Sequence, residues 1–413
     1  MILRFSLWLA LLAGFTAVAQ QAPTSSDETR RRIKATLFVP DPLPPLRTET
    51  YGQMQPATGV VGERVSYATG YGLRVPAIVY RPAALPRSKM PGLVVNGHGG
   101  DKYSWYAYYA GILYAQAGAV VLTYDPIGEG ERNAGRKSAT RQHDQNVDPP
   151  EMGRRMGGLM ITDIMQAVSY LSGRRDVDSK RVAVLGFSMG SFVAGITCAI
   201  ETRVNSCVLV GGGNLDGPSG YWDSSGHKMC QAIPYQSLKF LGDRGAVLYD
   251  LAAARGGTFI MNGSADPVVY EGGKSVQFFE DLRQRTIALH GSDRNVFEFA
   301  FEQGGGHRPY FLTRVAALWL EKRLDFPNWT PEKIAGMPET PMSAYERDPE
   351  AAGQRPATGS RENGTRALGS GAQGAPPAVA HDLLNSLPPD RWARDKDKYI
   401  YETWLKEAQR LLR

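Results

Sequence analysis

Two glycines bracket a serine at the spacing Gly186-Phe187-Ser188-Met189-Gly190. Small residues two before and two after a serine let the chain turn sharply and lift the hydroxyl clear of its neighbours. The apolar run Arg181–Leu185 ahead of the motif reads as a buried strand, and Ser188–Ile200 behind it as a helix. That strand–turn–helix context is what a nucleophile elbow requires. It sets the hydroxyl at a helix N-terminus, where the dipole favours developing negative charge. Ser188 is therefore the predicted nucleophile, and acyl transfer the chemistry it suits.

A serine hydroxyl is a weak nucleophile until a base takes its proton. On folds with this elbow the order along the chain is serine, acid, histidine. Of the six histidines, His227, His290, His307 and His381 follow Ser188. His307 lies in Gly304-Gly305-Gly306-His307, between a strand read at Val296–Phe301 and a helix read at Tyr310–Arg323. A loop of glycines there can carry an imidazole back over the sheet. His290 precedes that strand and belongs at the opposite sheet edge, while His227 and His381 fall in irregular sequence. For the acid that orients the base, Asp266 is favoured. It follows the strand Thr258–Met261, with Gly263 and Pro267 shaping its turn. Asp216 and Glu271 stand as rivals.

Two backbone N–H groups must hold the oxyanion. Met189, next after the serine, should give one. The other is expected from Gly97-His98-Gly99-Gly100-Asp101 after the strand Leu93–Asn96, with Gly100 the first choice and Asp101 the second. His98 is expected to brace this loop, and Asp125, in Tyr124–Arg132, to stabilise the loops beside it. Lys102, Arg132, Arg136 and Arg141 either bring positive charge to the cleft or sit on solvated loop. Tyr103 and Trp105 follow the oxyanion loop, and Trp222 lies in an insertion, Gly211–Tyr249, rich in polar and aromatic residues. These three are the candidate substrate-binding residues, and they suit a sugar-like alcohol carrying a short acyl group. The alternative is that they pack the insertion onto the domain. No His/Cys/Asp/Glu cluster has metal-ligand spacing, and no phosphate-cradling G-x-x-x-x-G-K-[ST] occurs. No metal and no cofactor is expected.

Those residues need strands that end at one edge of a sheet. Short apolar runs at Leu93–Asn96, Ala119–Thr123, Arg181–Leu185, Val204–Val210, Thr258–Met261 and Val296–Phe301 alternate with helical patterns at 103–117, 158–171, 188–200, 274–285 and 310–323. Alternation of this kind predicts a mostly parallel sheet with helices on both faces. Glu63–Thr69 and Leu73–Tyr80 add an antiparallel N-terminal hairpin.

The 413 residues carry 42% apolar and 21% charged side chains and a formal net charge of +6. That composition describes a globular chain with too mild an excess of positive charge to imply nucleic acid. The cluster Arg30-Arg31-Arg32 is read as a solvated helix face. A basic start, an apolar run at Phe5–Val18 and the small residues Ala17-Val18-Ala19 make residues 1–19 a predicted signal peptide. The chain is thus expected to be exported to the periplasm or outside the cell, without a stable membrane span. Residues 20–57 read as an extended arm that opens with a short polar helix and continues through a proline-rich stretch, 58–345 as the catalytic domain, 346–378 as a flexible linker and 379–413 as a helical tail. Cys198 and Cys207 read as core residues. With Cys230 they permit at most one disulfide. The three Asn-x-Ser/Thr sequons, at Asn262, Asn328 and Asn363, are taken as chance occurrences.

Gly97–Asp101, Tyr124–Arg132, Gly186–Ser191, Gly263–Pro267 and His307 together resemble the α/β-hydrolase superfamily, and within it bacterial acetyl xylan esterases and dienelactone-hydrolase-like proteins. The resemblance spans roughly 58–325. It implies carboxylic ester hydrolysis through a Ser188–Asp266–His307 triad, without a cofactor, on a small-molecule or carbohydrate ester. The elbow holds serine where dienelactone hydrolases carry cysteine, which argues against dienelactone as the substrate. Two other readings use the same fold: an exported peptidase, or a binding protein without catalysis.

Overall fold

The structure is a computed structural model, and it describes residues 25–97, 100–217, 219–224, 232–253, 255–270, 275–347, 364–369 and 379–413. Nine strands form one sheet. They are β1 (Glu49–Ala57), β2 (Val60–Ala68), β3 (Arg74–Pro82), β4 (Met90–Asn96), β5 (Val120–Tyr124), β6 (Val177–Phe187), β7 (Ser206–Val210), β8 (Thr258–Gly263) and β9 (Glu298–Glu302). Their spatial order is β1-β2-β3-β5-β4-β6-β7-β8-β9. The strands from β5 to β9 run parallel, and β1, β2 and β3 join antiparallel at one edge. The predicted hairpin is β2 with β3, paired from Val60↔Pro82 to Ala68↔Arg74. Every residue of β4, β5 and β7 is buried. Helices cover both faces of these strands, so their sequences are continuous apolar runs rather than alternating ones.

Four helices precede or flank the elbow: α1 (Ser26–Thr36), α2 (Trp105–Gln116), α3 (Pro150–Ser172) and α4 (Met189–Ile200). With further helices at Arg244–Ala253 and Val276–His290, α1, α3 and α4 pack on one face of the sheet. There Ile33, Leu159, Phe192, Leu248 and Phe279 form one core. On the other face α2 and the helix Arg314–Leu324 bury Tyr106, Ile112 and Leu320. All but the last residue of α2 is buried, which explains why its sequence shows no polar stripe.

Several elements differ from the sequence reading. Helix α3 begins at Pro150, eight residues before the apolar periodicity suggested, with proline at its first position. Its glycines obscured the pattern. At Gly158 a Cβ would collide with the backbone carbonyl of Leu37, so the glycine lets the N-terminal segment lie directly on the helix. That segment holds the short helix expected there, α1, N-capped by Ser25 Oγ, but its last part is the edge strand β1 rather than an extended arm. The middle of Arg30-Arg31-Arg32 fits the solvated reading better than its first member. Arg30 donates to the carbonyls of Ala199 and Leu251 at 3.0 and 3.1 Å and pins α1 to the domain. Cys198 of α4 and Cys207 of β7 are disulfide-bonded rather than plain core thiols.

Within the stretch read as a linker, residues 366–368 form a short strand paired with residues 339–341, and Ala367 and Leu368 are buried. The remainder of that stretch, apart from its first two residues and 364–369, lies outside the described residues, as does the predicted signal peptide. Residues 379–413 return across the catalytic domain. Trp404 of the helix Tyr401–Arg410 is fully buried in the same core as α3. Truncating such a side chain to alanine costs about 3–5 kcal/mol.

Candidate active site

Ser188 stands between β6 and α4 with φ 58° and ψ −127°, a region that a side chain rarely adopts and that costs roughly 1–3 kcal/mol. The turn is held from several sides. Ser188 N–H donates to Val210 O at 2.9 Å, and Ser191 Oγ donates to Ser188 O at 2.6 Å. The flanking glycines are steric necessities. A Cβ on Gly186 would stand 2.6 Å from Gly190 O and Ser191 Cα, and one on Gly190 would collide with Asn96 O. Asn96, at the end of β4, donates through Nδ2 to Gly190 O at 3.1 Å and accepts from Tyr124 at 2.6 Å. The ends of three adjacent strands are thereby tied to the elbow. Sequence reading missed Asn96, although an asparagine closing an otherwise apolar strand was a visible signal.

The loops after β8 and β9 bring the other two predicted residues to the serine. His307 Nε2 lies 2.9 Å from Ser188 Oγ, and its Nδ1 lies 2.9 Å from Asp266 Oδ2. Asp266 is fully buried. Its Oδ1 accepts from the N–H groups of Val268 and Val269 at 2.9 and 3.3 Å, leaving Oδ2 for the imidazole. The histidine and acid loops clasp each other. Ser264 N–H donates to Glu302 O at 2.8 Å, Ala265 N–H to Gly305 O at 2.8 Å, and Gly304 N–H to Ser264 Oγ at 2.7 Å. Phe187 packs its ring 4.9 Å from the imidazole.

Asn262 is a second residue missed from sequence. Its side chain bonds Gly212 N–H at 2.8 Å and Gly212 O at 3.0 Å, which fixes the chain leaving β7 beneath His307. It is fully buried, so the sequon there has no room for a glycan.

The rivals sit elsewhere. Asp216 accepts from Trp222 N–H at 3.0 Å and faces Arg244 at 3.4 Å. His290 pairs with Asp250 at 2.8 Å. Glu271, His227 and His98 lie outside the described residues, and so does the side chain of His381.

Met189 opens α4 directly after the serine, and Gly100 is buried on the loop after β4. Beneath that loop lies a dense group of buried charges. Lys102 Nζ pairs with Asp125 and, at 2.8 Å, with Glu131. Arg132 pairs with Asp163 at 2.5 Å. Lys102 and Arg132, read as cleft or solvated charges, are fully buried structural ones. Burial raises the Asp125 carboxyl to about 7, against the pull of the Lys102 ammonium. Burial also raises Glu129 to about 7 and lowers His143 to about 4.

The three aromatic residues considered for substrate are packed within the protein. Trp105 stacks on Tyr345 with ring centroids 4.9 Å apart. Tyr103 is 6% exposed, its hydroxyl on Asn385. Trp222 is also 6% exposed, lies 4.8 Å from Phe192 and donates to Asn214 O. Trp105 and Trp222 therefore have ring neighbours supplied by the chain itself.

Comparison with known proteins agrees with this architecture. The prolyl oligopeptidase family matches residues 102–330, more than half of the chain. Curated relatives match over shorter stretches. YtaP of Bacillus subtilis (strain 168), which carries a hydrolase name, is 39% identical over 56 residues, or 14% of this chain and 19% of that protein. Hydrolase pyiE of Pyricularia grisea is 31% identical over 144 residues, or 33% of this chain and 28% of that one. The chain thus spans less than a third of either relative. Among solved structures, an acetyl xylan esterase from Paenibacillus sp. R4 superposes with a TM-score of 0.51 at 16% identity, over 74% of this chain and 96% of that one. A glucuronoyl esterase from Solibacter usitatus gives 0.51 at 13% identity, over 74% and 92%. Likeness at these identities is likeness of fold. With the mostly parallel sheet, the turn at Ser188 and the matched span in hand, the chain has the α/β-hydrolase fold and belongs to the prolyl oligopeptidase family.

Proposed function

We propose that this chain is an exported serine esterase that cleaves short-acyl carboxylic esters. The observation that carries the reading is the continuous hydrogen-bonded line from Ser188 Oγ to His307 and on to Asp266, each step 2.9 Å. His307 takes the Ser188 proton as Ser188 attacks the ester carbonyl. Met189 and Gly100 N–H groups receive the oxyanion. His307 then protonates the leaving alcohol, and water repeats the sequence on the acyl-enzyme. Asp266 keeps the imidazole in the tautomer that accepts from serine and stabilises its charged form.

Export rests on the signal-like residues 1–19. The Cys198–Cys207 disulfide supports it, since disulfides persist in oxidising compartments. Acetylated carbohydrate is the proposed natural class, supported by the names of the esterases that share the fold. A peptidase reading is favoured by the family matched over residues 102–330.

The deciding experiment compares nitrophenyl esters of increasing acyl length, an acetylated glycan and proline-containing peptides under one set of conditions. The expected result is a preference for acetyl to butyryl esters, release of acetate from the glycan and no peptide cleavage. An optimum at eight carbons or longer, or peptide turnover exceeding ester turnover, would overturn the proposal.

A further inference from the structure

Gly100 is followed by a local turn at Asp101 and then by two residues, Lys102 and Tyr103, whose anchors come from farther along the chain. Asp101 accepts from Tyr103 N–H at 2.9 Å and donates its own N–H to Ser104 Oγ at 3.0 Å. Lys102 is fully buried, donating its backbone N–H to Asp125 at 3.1 Å and its ammonium to Asp125 and Glu131. The Tyr103 hydroxyl donates to Asn385.

Glu131 is likewise fully buried, and its second role concerns the tail. It accepts from Ser386 N–H at 2.7 Å and from Leu387 N–H at 2.9 Å. Trp392 Nε1 donates to the Glu131 carbonyl at 3.3 Å, and Ser386 Oγ to Ala77 O of β3 at 3.0 Å. One carboxylate therefore joins the C-terminal segment to the lysine two residues beyond Gly100.

We propose that Glu131 is a positioning residue: it clamps residues 385–387 of the tail against Lys102 and Tyr103, and through them fixes the backbone that presents the Gly100 N–H to the oxyanion. The geometry explains why a lysine, two carboxylates and two backbone amides are buried together. A buried charge without partners is costly, and here every charge of the trio lies on another member or on a tail amide. The carboxylates already face the ammonium, so the fixed amides of the tail complete a rigid shell around the loop. Rigidity matters because an oxyanion donor works only when it is held in place before charge develops. The tail is thus part of the active-site support, although it lies beyond the family-matched span that ends at residue 330.

This inference rests on Ser188 as nucleophile and Gly100 as oxyanion donor, and its test separates the two questions. Wild type and Glu131→Gln, as full-length chains, are compared for the rate of fluorophosphonate labelling, for kcat and KM on nitrophenyl acetate, and for inhibition by a boronic acid that becomes a tetrahedral anion on serine. Removing one oxyanion donor outright costs about 10²–10³-fold, so a displaced one should cost at least about tenfold. The expected result is that fall in labelling rate, kcat and boronate affinity, with KM within about twofold. A merely structural role would lower the melting temperature and leave the boronate affinity per folded molecule unchanged. If Glu131→Gln does not fold, Asn385→Ala decides, because it leaves the Lys102–Glu131 pair intact. A threefold or greater fall in labelling supports the clamp, and an unchanged rate overturns it. A wild-type chain that takes no label would overturn the reading of Ser188 itself, whereas a labelled wild type matched by an equally fast Glu131→Gln overturns the clamp alone.

Discussion

Gly211 holds the floor beneath the His307 imidazole: a Cβ at position 211 would stand 3.0 Å from His307 Cε1 and 3.0 Å from the Phe187 ring. Its φ of +59° is also one that a side chain resists. Gly211→Ala should therefore push the ring off the line between Ser188 and Asp266 while leaving the sheet intact. The expected outcome is a fall in kcat of at least about tenfold, since small misplacements of catalytic groups cost up to ~10², with an unchanged far-ultraviolet circular dichroism spectrum. Steady-state kinetics on a nitrophenyl ester checks it.

The acid assignment separates Asp266 from Asp216 by what each faces. Asp266 Oδ2 is 2.9 Å from His307 Nδ1, whereas Asp216 lies against Arg244 at 3.4 Å. Asp266→Asn should cost on the order of 10³-fold or more in kcat, because an amide favours the wrong histidine tautomer. Asp216→Asn should lower thermal stability and leave kcat within a few-fold. Paired kinetics and melting curves of the two variants test the assignment. A reversed pattern would move the acid one strand earlier.

Glu129 provides a pH test of the buried shell under the active-site loops. Burial raises its pKa from 4.5 to about 7, against the N–H groups of Thr140 and Arg141 that favour the charged form. Between those values the unfolded chain has released a proton that the folded chain still holds. Stability from this group is therefore fully present below about pH 4.5 and is lost as pH rises towards 7. Glu129→Gln does not titrate. Its melting temperature relative to wild type should be higher at pH 8 than at pH 5. Melting curves across that range check the direction, and a constant difference would show that Glu129 ionises alike in both states.

How much of this was legible in the sequence depends on how local each signal is. The elbow, the acid loop and His307 were readable because strand, turn and glycine chemistry sit within a few residues of each one. Edge strand β1 was not, because four of its nine residues are exposed and its Gly52 and Pro56 read as loop. Helix α3 was truncated at its glycines, and the close approaches that two of them allow, Gly153 to Ile233 and Gly158 to Leu37, exist only in three dimensions. The Cys198–Cys207 bond joins a helix to the next strand, and nothing in spacing alone marks it. Glu131 and the amides it holds are 255 and 256 residues apart. The partner that buries Lys102, Asp125, lies 23 residues away, outside the reach of a local pattern.

The central claim is that Ser188 is the nucleophile, activated by His307 at 2.9 Å. Fluorophosphonate treatment of the purified chain, followed by intact-mass measurement and peptide mapping, tests it most directly. The account expects one adduct per chain, located on Ser188, absent from Ser188→Ala and formed on the order of 10³-fold more slowly or worse in His307→Ala. Ester turnover should fall with the same pattern, and the double variant should lose little beyond either single one. An adduct on another residue, or a Ser188→Ala chain that keeps the wild-type rate of ester cleavage, would contradict the account.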